Sequence, residues 1–151
     1  MIALTPKRLV NVYEERMLEF LKTCLGNGYM INPQVSLSQI CELKSNLSLE
    51  LKNFYFTSNV DALITDSSYQ PRLVVEFQSH YHDSESARKR DSKKACLLAA
   101  AQIPLIYSRL KDCGLLHLFD SDNDNEIILN LFTGESFDSA QAFIKSYCQY
   151  S

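Results

Sequence analysis

The chain has 151 residues, 46% of them hydrophobic and 22% charged, with a formal net charge of −3, which predicts one globular domain with a buried core. Nothing in the overall charge attracts a polyanion, so any nucleic-acid site must be local. The five scattered cysteines, the lack of a signal-peptide-like start and the lack of a membrane-length apolar stretch predict a cytoplasmic protein with reduced core thiols and no membrane partner.

The N-terminal region predicts a long amphipathic helix. Thr5 supplies an N-cap hydroxyl and Pro6 suits the first helical position. Apolar side chains then recur at helical spacing as far as Cys24, and Gly26 ends the pattern. We therefore expect a helix from Thr5 to the glycines.

The next segment predicts an edge strand and an irregular connection. Residues 29–35 are largely apolar but contain Pro33, which suits a short edge strand. Residues 36–51 favour a loop with a helical piece, and residues 53–56 favour a further strand or turn.

The middle of the chain gives the clearest pattern. Residues 60–65 and 73–77 are apolar runs on either side of a turn-rich linker, which predicts an antiparallel hairpin. Residues 84–102 then predict a helix, and residues 103–107 predict a buried strand.

The tail predicts a second hairpin and a closing helix. Residues 115–119 and 127–132 flank an acidic turn, and residues 136–147 have helical spacing. The whole order of elements is that of a mixed α/β layer fold in one domain over residues 1–151. Within that domain we expect a core at about residues 5–108 and an extension at about residues 112–149.

Two acids stand within the apolar runs of the first hairpin. Asp61 follows Val60 directly, and Glu76 closes the run of residues 73–75. Charged carboxylates in such places are costly unless they are paired or bound to a cation. On neighbouring strands they can meet at one end of the sheet and present oxygens to a hard cation such as Mg²⁺ or Mn²⁺. The alternative is that both acids lie at solvent-exposed strand ends and have no functional role.

The following helix begins with a cluster of basic side chains. Arg88, Arg90 and Lys94 lie in its first half, where their charge opposes the helix dipole. Asp91 shares a face with the apolar residues of the second half, so it points toward the sheet. Arg90 and Lys94 are one turn apart on a face that suits phosphate oxygens.

Several short motifs carry a family resemblance, and they occur in the order Val60-Asp61, Val74-Val75-Glu76-Phe77-Gln78-Ser79, His82 and Arg90-Asp91. Together they resemble an uncharacterised bacterial domain family of the PD-(D/E)XK nuclease superfamily and, more distantly, the very-short-patch-repair endonuclease-like group. The family pattern has Asp in one strand, Glu-x-Asp ending the next, His four residues later and Arg-Asp on the following helix. The resemblance also includes Glu14 and Pro33-Gln34-Val35, and it ends near Tyr107.

The resemblance implies a fold, a cofactor and residue roles. The fold would be a restriction-endonuclease-like core of helix, mixed sheet, helix and strand, followed by the C-terminal hairpin and helix. Mg²⁺ or Mn²⁺ would be the cofactor, and the metal ligands would be Asp61, Glu76 and Glu14, together with the carbonyl of Phe77. The remaining catalytic residues would be Gln78, His82, Asp91 and Lys94, and the substrate phosphate would be bound by Arg88, Arg90 and Lys94.

This chain departs from the family pattern at one acid. Gln78 stands where the family has its second acid, so the cation has one less anionic ligand and we expect weaker metal binding. The strand also lacks a catalytic lysine, for which Lys94 on the next helix is the candidate.

Three functions follow for testing. The first is a metal-dependent nuclease that acts on DNA in preference to RNA. The second is a nuclease fold that binds nucleic acid or a protein without cutting. The third is a structural interaction domain in which Asp61 and Glu76 are ordinary. The C-terminal extension is the candidate surface for a homodimer or a protein partner.

Overall fold

The computed structural model describes residues 1–78, 84–111, 114–120, 122, 124–130 and 137–149. These residues form a six-stranded sheet with helices on both faces, so the fold is mixed α/β. The strands are β1 (Tyr29–Ser36), β2 (Asn59–Asp66), β3 (Pro71–Gln78), β4 (Leu105–Leu110), β5 (Leu115–Asp120) and β6 (Asn125–Asn130). The helices are α1 (Val12–Leu25), α2 (Leu37–Ile40), α3 (Leu49–Thr57), α4 (Glu85–Ala100) and α5 (Phe137–Cys148).

The strands lie in the sheet in the order of the chain, β1 to β6. All neighbours are antiparallel except β3 and β4, which run parallel. Parallel neighbours need a crossover connection, and α4 forms it. This crossover places α4 over the sheet beside the C-terminal end of β3.

Two apolar clusters cover the two faces of the sheet. On one face, α1 and α5 pack on alternate residues of the strands, for example through Leu21 and Ile144. On the other face, α2, α3 and α4 contribute Leu37, Tyr55 and Leu98. Burial of such side chains is the main favourable term in folding, at about 25 cal/mol per Å² of apolar surface. The expected closing helix therefore forms part of the core on the face of α1.

The predicted start of the first helix at Thr5 and Pro6 is wrong. The helix begins at Val12, after the N-cap Asn11. Asn11 Oδ1 accepts from the main-chain N–H of Glu14 at 2.8 Å, and the Glu14 carboxylate accepts from the N–H of Asn11 at 3.2 Å. This capping box satisfies two N–H groups, which the Thr5 hydroxyl alone would not. Gly26, with φ +69°, ends the helix in a region that other residues rarely adopt.

The predicted strand or turn at residues 53–56 is also wrong, because these residues lie in α3. The aromatic residues there favour strands on propensity alone. Ser48, however, caps the helix by accepting from Leu51 N at 3.3 Å. Tyr55 is buried and donates to the carbonyl of Cys41 at 2.7 Å. Tertiary packing therefore overrides the local preference.

The other elements agree with the sequence within a few residues. The edge strand, both hairpins, the helix over the sheet, the strand after it and the closing helix are confirmed. The thiols of Cys24 and Cys148 are buried in the core, as expected. The prediction of a core thiol is wrong for Cys96, which is exposed on α4. Within the described ranges, no helix has the length and apolar character that a membrane span requires.

Candidate functional site

Asp61 and Glu76 lie together at one end of the β2–β3 hairpin. Asp61 alternates with Leu63 and Glu76 with Val74, so both acids face the layer formed by α3 and α4. Paired positions run from the turn as far as Ala62 and Val75. Asp61 and Glu76 are the next residues along each strand. The alternation of the two strands thus brings the predicted acid pair to one place.

Each carboxylate accepts a hydrogen bond from the main chain of the other strand. Glu76 Oε2 accepts from Asp61 N at 2.7 Å, and Asp61 Oδ2 accepts from Phe77 N at 2.8 Å. Closer to the turn, the main-chain N–H groups of a paired strand donate to carbonyl oxygens of its neighbour. At this end of the hairpin, the N–H groups of Asp61 and Phe77 donate to the two carboxylates instead. When such an acceptor is ionised, these bonds are shorter and stronger than neutral ones. They fix the carboxylate of each acid at the end of the hairpin.

Lys94 of α4 makes an ion pair with Glu76 Oε1. The Glu76 side chain is only 7% exposed and that of Lys94 is 15% exposed. Burial, together with the nearby charge of Asp61, raises the pKa of Glu76 to about 8, even though Lys94 acts in the opposite direction. A negative charge on Glu76 beside that of Asp61 is therefore unfavourable, and an additional cation would stabilise it.

Gln34 of β1 lies opposite Asp61 with a strained backbone. Its neighbours Pro33 and Val35 pair with Ala62 and Val60, which places Gln34 across from Asp61. Gln34 has φ +54°, and among the described non-glycine residues with positive φ it is the one inside a strand. Its Nε2 lies 3.5 Å from Asp61 Oδ1. Such backbone strain costs about 1–3 kcal/mol and is concentrated at functional sites.

Gln78 is held between a base and an acid. Arg109 of β4 donates from Nη2 to Gln78 Oε1 at 2.9 Å, and Gln78 Nε2 lies 3.4 Å from Asp91 Oδ2. Gln78 and Arg109 are paired positions of the parallel strands β3 and β4. The buried amide is therefore oriented by both neighbours, with its oxygen toward the guanidinium and its nitrogen toward the carboxylate.

The acid pair, Gln78 and Lys94 line a pocket of about 240 Å³ between the sheet, α3 and α4. The basic residues Arg90 and Lys94 lie on its α4 wall, and Asp61 and Glu76 lie on its sheet wall. Among the described residues, no group of three or more His, Cys, Asp or Glu side chains forms a ready metal cluster. The two carboxylates and neighbouring main-chain oxygens are nevertheless the donor chemistry of a Mg²⁺ site that keeps part of its water shell.

Two further predicted site residues, Arg88 and Glu14, do not line the acid pocket. Arg88 is exposed and lines a neighbouring groove together with Asp91 and Gln78. Glu14 forms the capping box of α1, and the described residues that line the acid pocket do not include it. The structure thus gives Glu14 a helix-capping contact in place of the expected approach to the pair. His82 lies outside the described residues.

Two contacting residues had no predicted role. The family resemblance includes Gln34 within Pro33-Gln34-Val35 but gives it no role, and the sequence does not reveal its positive φ. Arg109 contacts Gln78 because the two residues are paired on parallel strands, and the sequence alone does not show that β4 runs parallel to β3. The strand predicted to end at Tyr107 continues through Leu110, and this extension brings Arg109 to the site.

Comparison with known proteins places the chain in a family. Residues 6–115 match the model of the family described as "Protein of unknown function (DUF2726)". The chain belongs to the DUF2726 family. The uncharacterized protein y4bI of Sinorhizobium fredii (strain NBRC 101917 / NGR234) is 32% identical over 102 residues, which are 66% of this chain and 72% of that protein.

One solved structure is also similar to this DUF2726 chain. It is described as "cryoEM structure DrdV-DNA complex", with a TM-score of 0.46 and 11% identity. The alignment covers 92% of this chain, which spans 11% of the length of that one. This likeness is too low to establish a shared fold. The DUF2726 match includes the acid pair, Gln78, Lys94 and Arg109, whereas α5 lies beyond it.

Proposed function

We propose that this chain is a divalent-metal-dependent nuclease domain of the PD-(D/E)XK type, with a restriction-endonuclease-like core, that hydrolyses phosphodiester bonds in DNA in preference to RNA. The observation that carries the proposal is the acid pair of Asp61 and Glu76 at one end of a hairpin, with Lys94 against Glu76 and Arg90 in the same pocket. The family resemblance of the motifs around these residues agrees with it.

The residues fit a divalent cation by their chemistry. Asp61 and Glu76 would hold Mg²⁺ or Mn²⁺, because hard cations prefer carboxylate oxygens and these two are fixed by main-chain N–H groups. Burial and the charge of Asp61 raise the pKa of Glu76, and a bound cation would favour the ionised form of its carboxylate. A divalent cation, when bound there, would neutralise phosphate charge and activate water for attack on phosphorus.

The chain's own cations would complete the site. Lys94 would stabilise negative charge that grows on the phosphate during attack, which is worth roughly 10²–10³ in rate for one well-placed donor. Arg90, exposed at the same pocket, would bind the substrate phosphate and steer it toward the acids. Gln78 would orient water or substrate through its amide, since Arg109 and Asp91 fix its direction.

A second candidate function is a nuclease fold that binds nucleic acid or a protein without cutting. The neutral Gln78 favours it, because it adds no anionic ligand beside the acid pair and its amide already contacts Arg109 and Asp91. A metal held more weakly would leave the basic residues of α4 to bind phosphate alone. The assay below separates the two functions.

The test is cleavage of plasmid, single-stranded DNA and RNA in Mg²⁺ or Mn²⁺. The Asp61→Asn/Glu76→Gln variant keeps the shape of both side chains and removes both charges. Asp66→Asn is the matched control, because Asp66 lies at the other end of β2 and pairs with Arg72. We expect metal-dependent cutting by the wild type and the control, and none by the double variant.

Three results would contradict this proposal. If the double variant cuts as fast as the wild type, the acid pair is not the active site. If the wild type binds nucleic acid in a salt-dependent way but cuts none of the substrates, the binding module is correct. Absence of both binding and cutting would leave the acid pair a structural feature.

A further inference from the structure

A second and larger groove joins the acid pocket. Its volume is about 770 Å³, and it shares Gln78 and Asp91 with the acid pocket. The two cavities therefore meet at these side chains, on the same face of the sheet and along the same helix, α4.

The sheet side of the groove carries a row of rings. Tyr107 of β4 and Phe119 of β5 are cross-strand partners with ring centroids 5.3 Å apart and planes 26° apart. His117 lies two residues before Phe119 on the same face of β5, and its ring stacks on that of Phe119 with centroids 4.6 Å apart and planes 29° apart. All three rings line the groove. Burial and nearby acids raise the pKa of Tyr107, so its hydroxyl stays protonated and can donate a hydrogen bond.

The helix side of the groove is made of small residues with a cation among them. Arg88, Ser92, Ala95 and Ala99 recur at helical spacing on one face of α4, and all four line the groove. The two alanines leave a slot opposite the rings. Arg88 is exposed, so its guanidinium is available to a phosphate.

Size decides which part of a nucleotide each cavity can take. The acid pocket, at about 240 Å³, is below the range of roughly 300–1,000 Å³ that is usual for small-molecule sites, so it suits an ion and a phosphate group. The groove, at about 770 Å³, lies inside that range. Rings along one wall and small side chains along the other suit a nucleobase, because bases stack on aromatic side chains.

We propose that the groove binds the base of an unpaired nucleotide next to the phosphate that the acid pocket receives. The proposal rests on the proposed function and names its substrate class, namely single-stranded nucleic acid or a duplex with an extruded base. In an intact duplex both faces of a base are covered by its neighbours, so the base must leave the stack to enter the slot.

The test measures binding without cutting, in EDTA, with two short single-stranded oligodeoxynucleotides. One carries 2-aminopurine at a central position, and the other has an abasic deoxyribose there with the same phosphates. Stacking of a base on a protein ring is worth about 5- to 100-fold in Kd. We expect the abasic probe to bind the wild type more weakly by that factor, and 2-aminopurine emission to fall on binding.

Two variants localise the effect. Phe119→Leu keeps apolar volume at a half-buried position but removes the ring, and Ala95→Leu fills the slot. Both should bind the two probes with nearly equal affinity. Tyr69→Leu is the control, because Tyr69 is an exposed aromatic residue in the β2–β3 turn, and it should keep the wild-type difference. Thermal melts establish that each variant is folded.

The outcomes separate this proposal from the nuclease itself. Equal binding of the two probes by the wild type, as expected if the groove takes a protein segment, overturns the base site even when metal-dependent cutting is present. An undiminished difference in both Phe119→Leu and Ala95→Leu overturns it as well. Loss of the difference in these variants supports the base site, including the case in which the wild type binds but does not cut.

Discussion

The two ends of the β2–β3 hairpin hold acids in opposite states. At the turn, Asp66 accepts from Ser68 N at 2.8 Å and pairs with Arg72 at 2.8 Å. Hydrogen bonds from the turn and from Arg72 lower the pKa of Asp66. At the open end, burial and Asp61 raise the pKa of Glu76 to about 8. The same two strands thus stabilise a negative charge at one end and resist it at the other.

This difference separates structural acids from a candidate site. An acid that only closes a turn is placed where N–H groups and a cation favour its charge. Glu76 instead lies in a buried position beside a second carboxylate, with Lys94 as its cation. Strongly perturbed acids beside a pocket are typical of functional sites. The contrast between Asp66 and Glu76 therefore supports the open end of the hairpin, and not the turn, as the candidate functional site.

The largest expected effect is an opposite pH dependence of stability at the two ends. An unfolded Glu titrates near pH ~4.3, so the folded state holds the Glu76 proton more tightly and the free energy of unfolding falls as pH rises from ~4.5 to ~8. The pKa difference corresponds to at most about 5 kcal/mol. Glu76→Gln should remove this fall, as measured by urea unfolding in EDTA at a series of pH values.

The turn supplies the matched control for that measurement. The folded-state pKa of Asp66 is lowered, so its contribution is present above the unfolded value of ~3.9 and is lost as pH falls through the folded pKa. Asp66→Asn should flatten only the acid side of the curve. Identical curves for Glu76→Gln and the wild type between pH ~4.5 and ~8 would contradict the assigned environment of Glu76.

The next effect concerns the cation at each end. Lys94→Met keeps most of the apolar stem and removes the charge next to Glu76, and it should lower the cutting rate by about 10²–10³-fold. Arg72→Met removes the charge next to Asp66 and should leave the rate unchanged. Rates are compared at saturating substrate and metal. Equal rates for the two variants would show that Lys94 has no catalytic role.

The smallest effect concerns backbone strain. Tyr69 in the turn has φ +63° and Gln34 opposite Asp61 has φ +54°. Replacement of either by glycine should stabilise the fold by about 0.5–1 kcal/mol, because glycine adopts this region without a steric penalty. Tyr69→Gly should leave cutting unchanged, whereas Gln34→Gly should slow it, since the amide near Asp61 is lost. An unchanged cutting rate for Gln34→Gly would show that the strained backbone at Gln34 has no role in cutting.

The hairpin and its acids could be predicted because their signals are local. Alternation fixes the face of each residue on a strand, and the short linker fixes the two strands as neighbours, so Asp61 and Glu76 had to meet. The pairing of Lys94 with Glu76 was not predicted, because it depends on how α4 crosses the sheet. Helical spacing gave its face but not its partner.

The rest of the site depends on long-range or backbone geometry. Arg109 reaches Gln78 only because β4 lies parallel to β3 in this register. The start of α1 was misplaced because Thr5-Pro6 is a weaker signal than the reciprocal capping of Asn11 and Glu14. The same capping explains why Glu14, expected at the metal, contacts the helix end instead.

We propose that the open end of the hairpin binds a divalent cation. Calorimetric titration measures this binding without relying on nuclease activity. Mn²⁺ or Mg²⁺ is titrated into the wild type, Asp61→Asn/Glu76→Gln and Asp66→Asn at one pH and ionic strength. We expect saturable binding by the wild type and by Asp66→Asn, and no binding by the double variant. Equal binding by all three proteins, or none by the wild type, would contradict it.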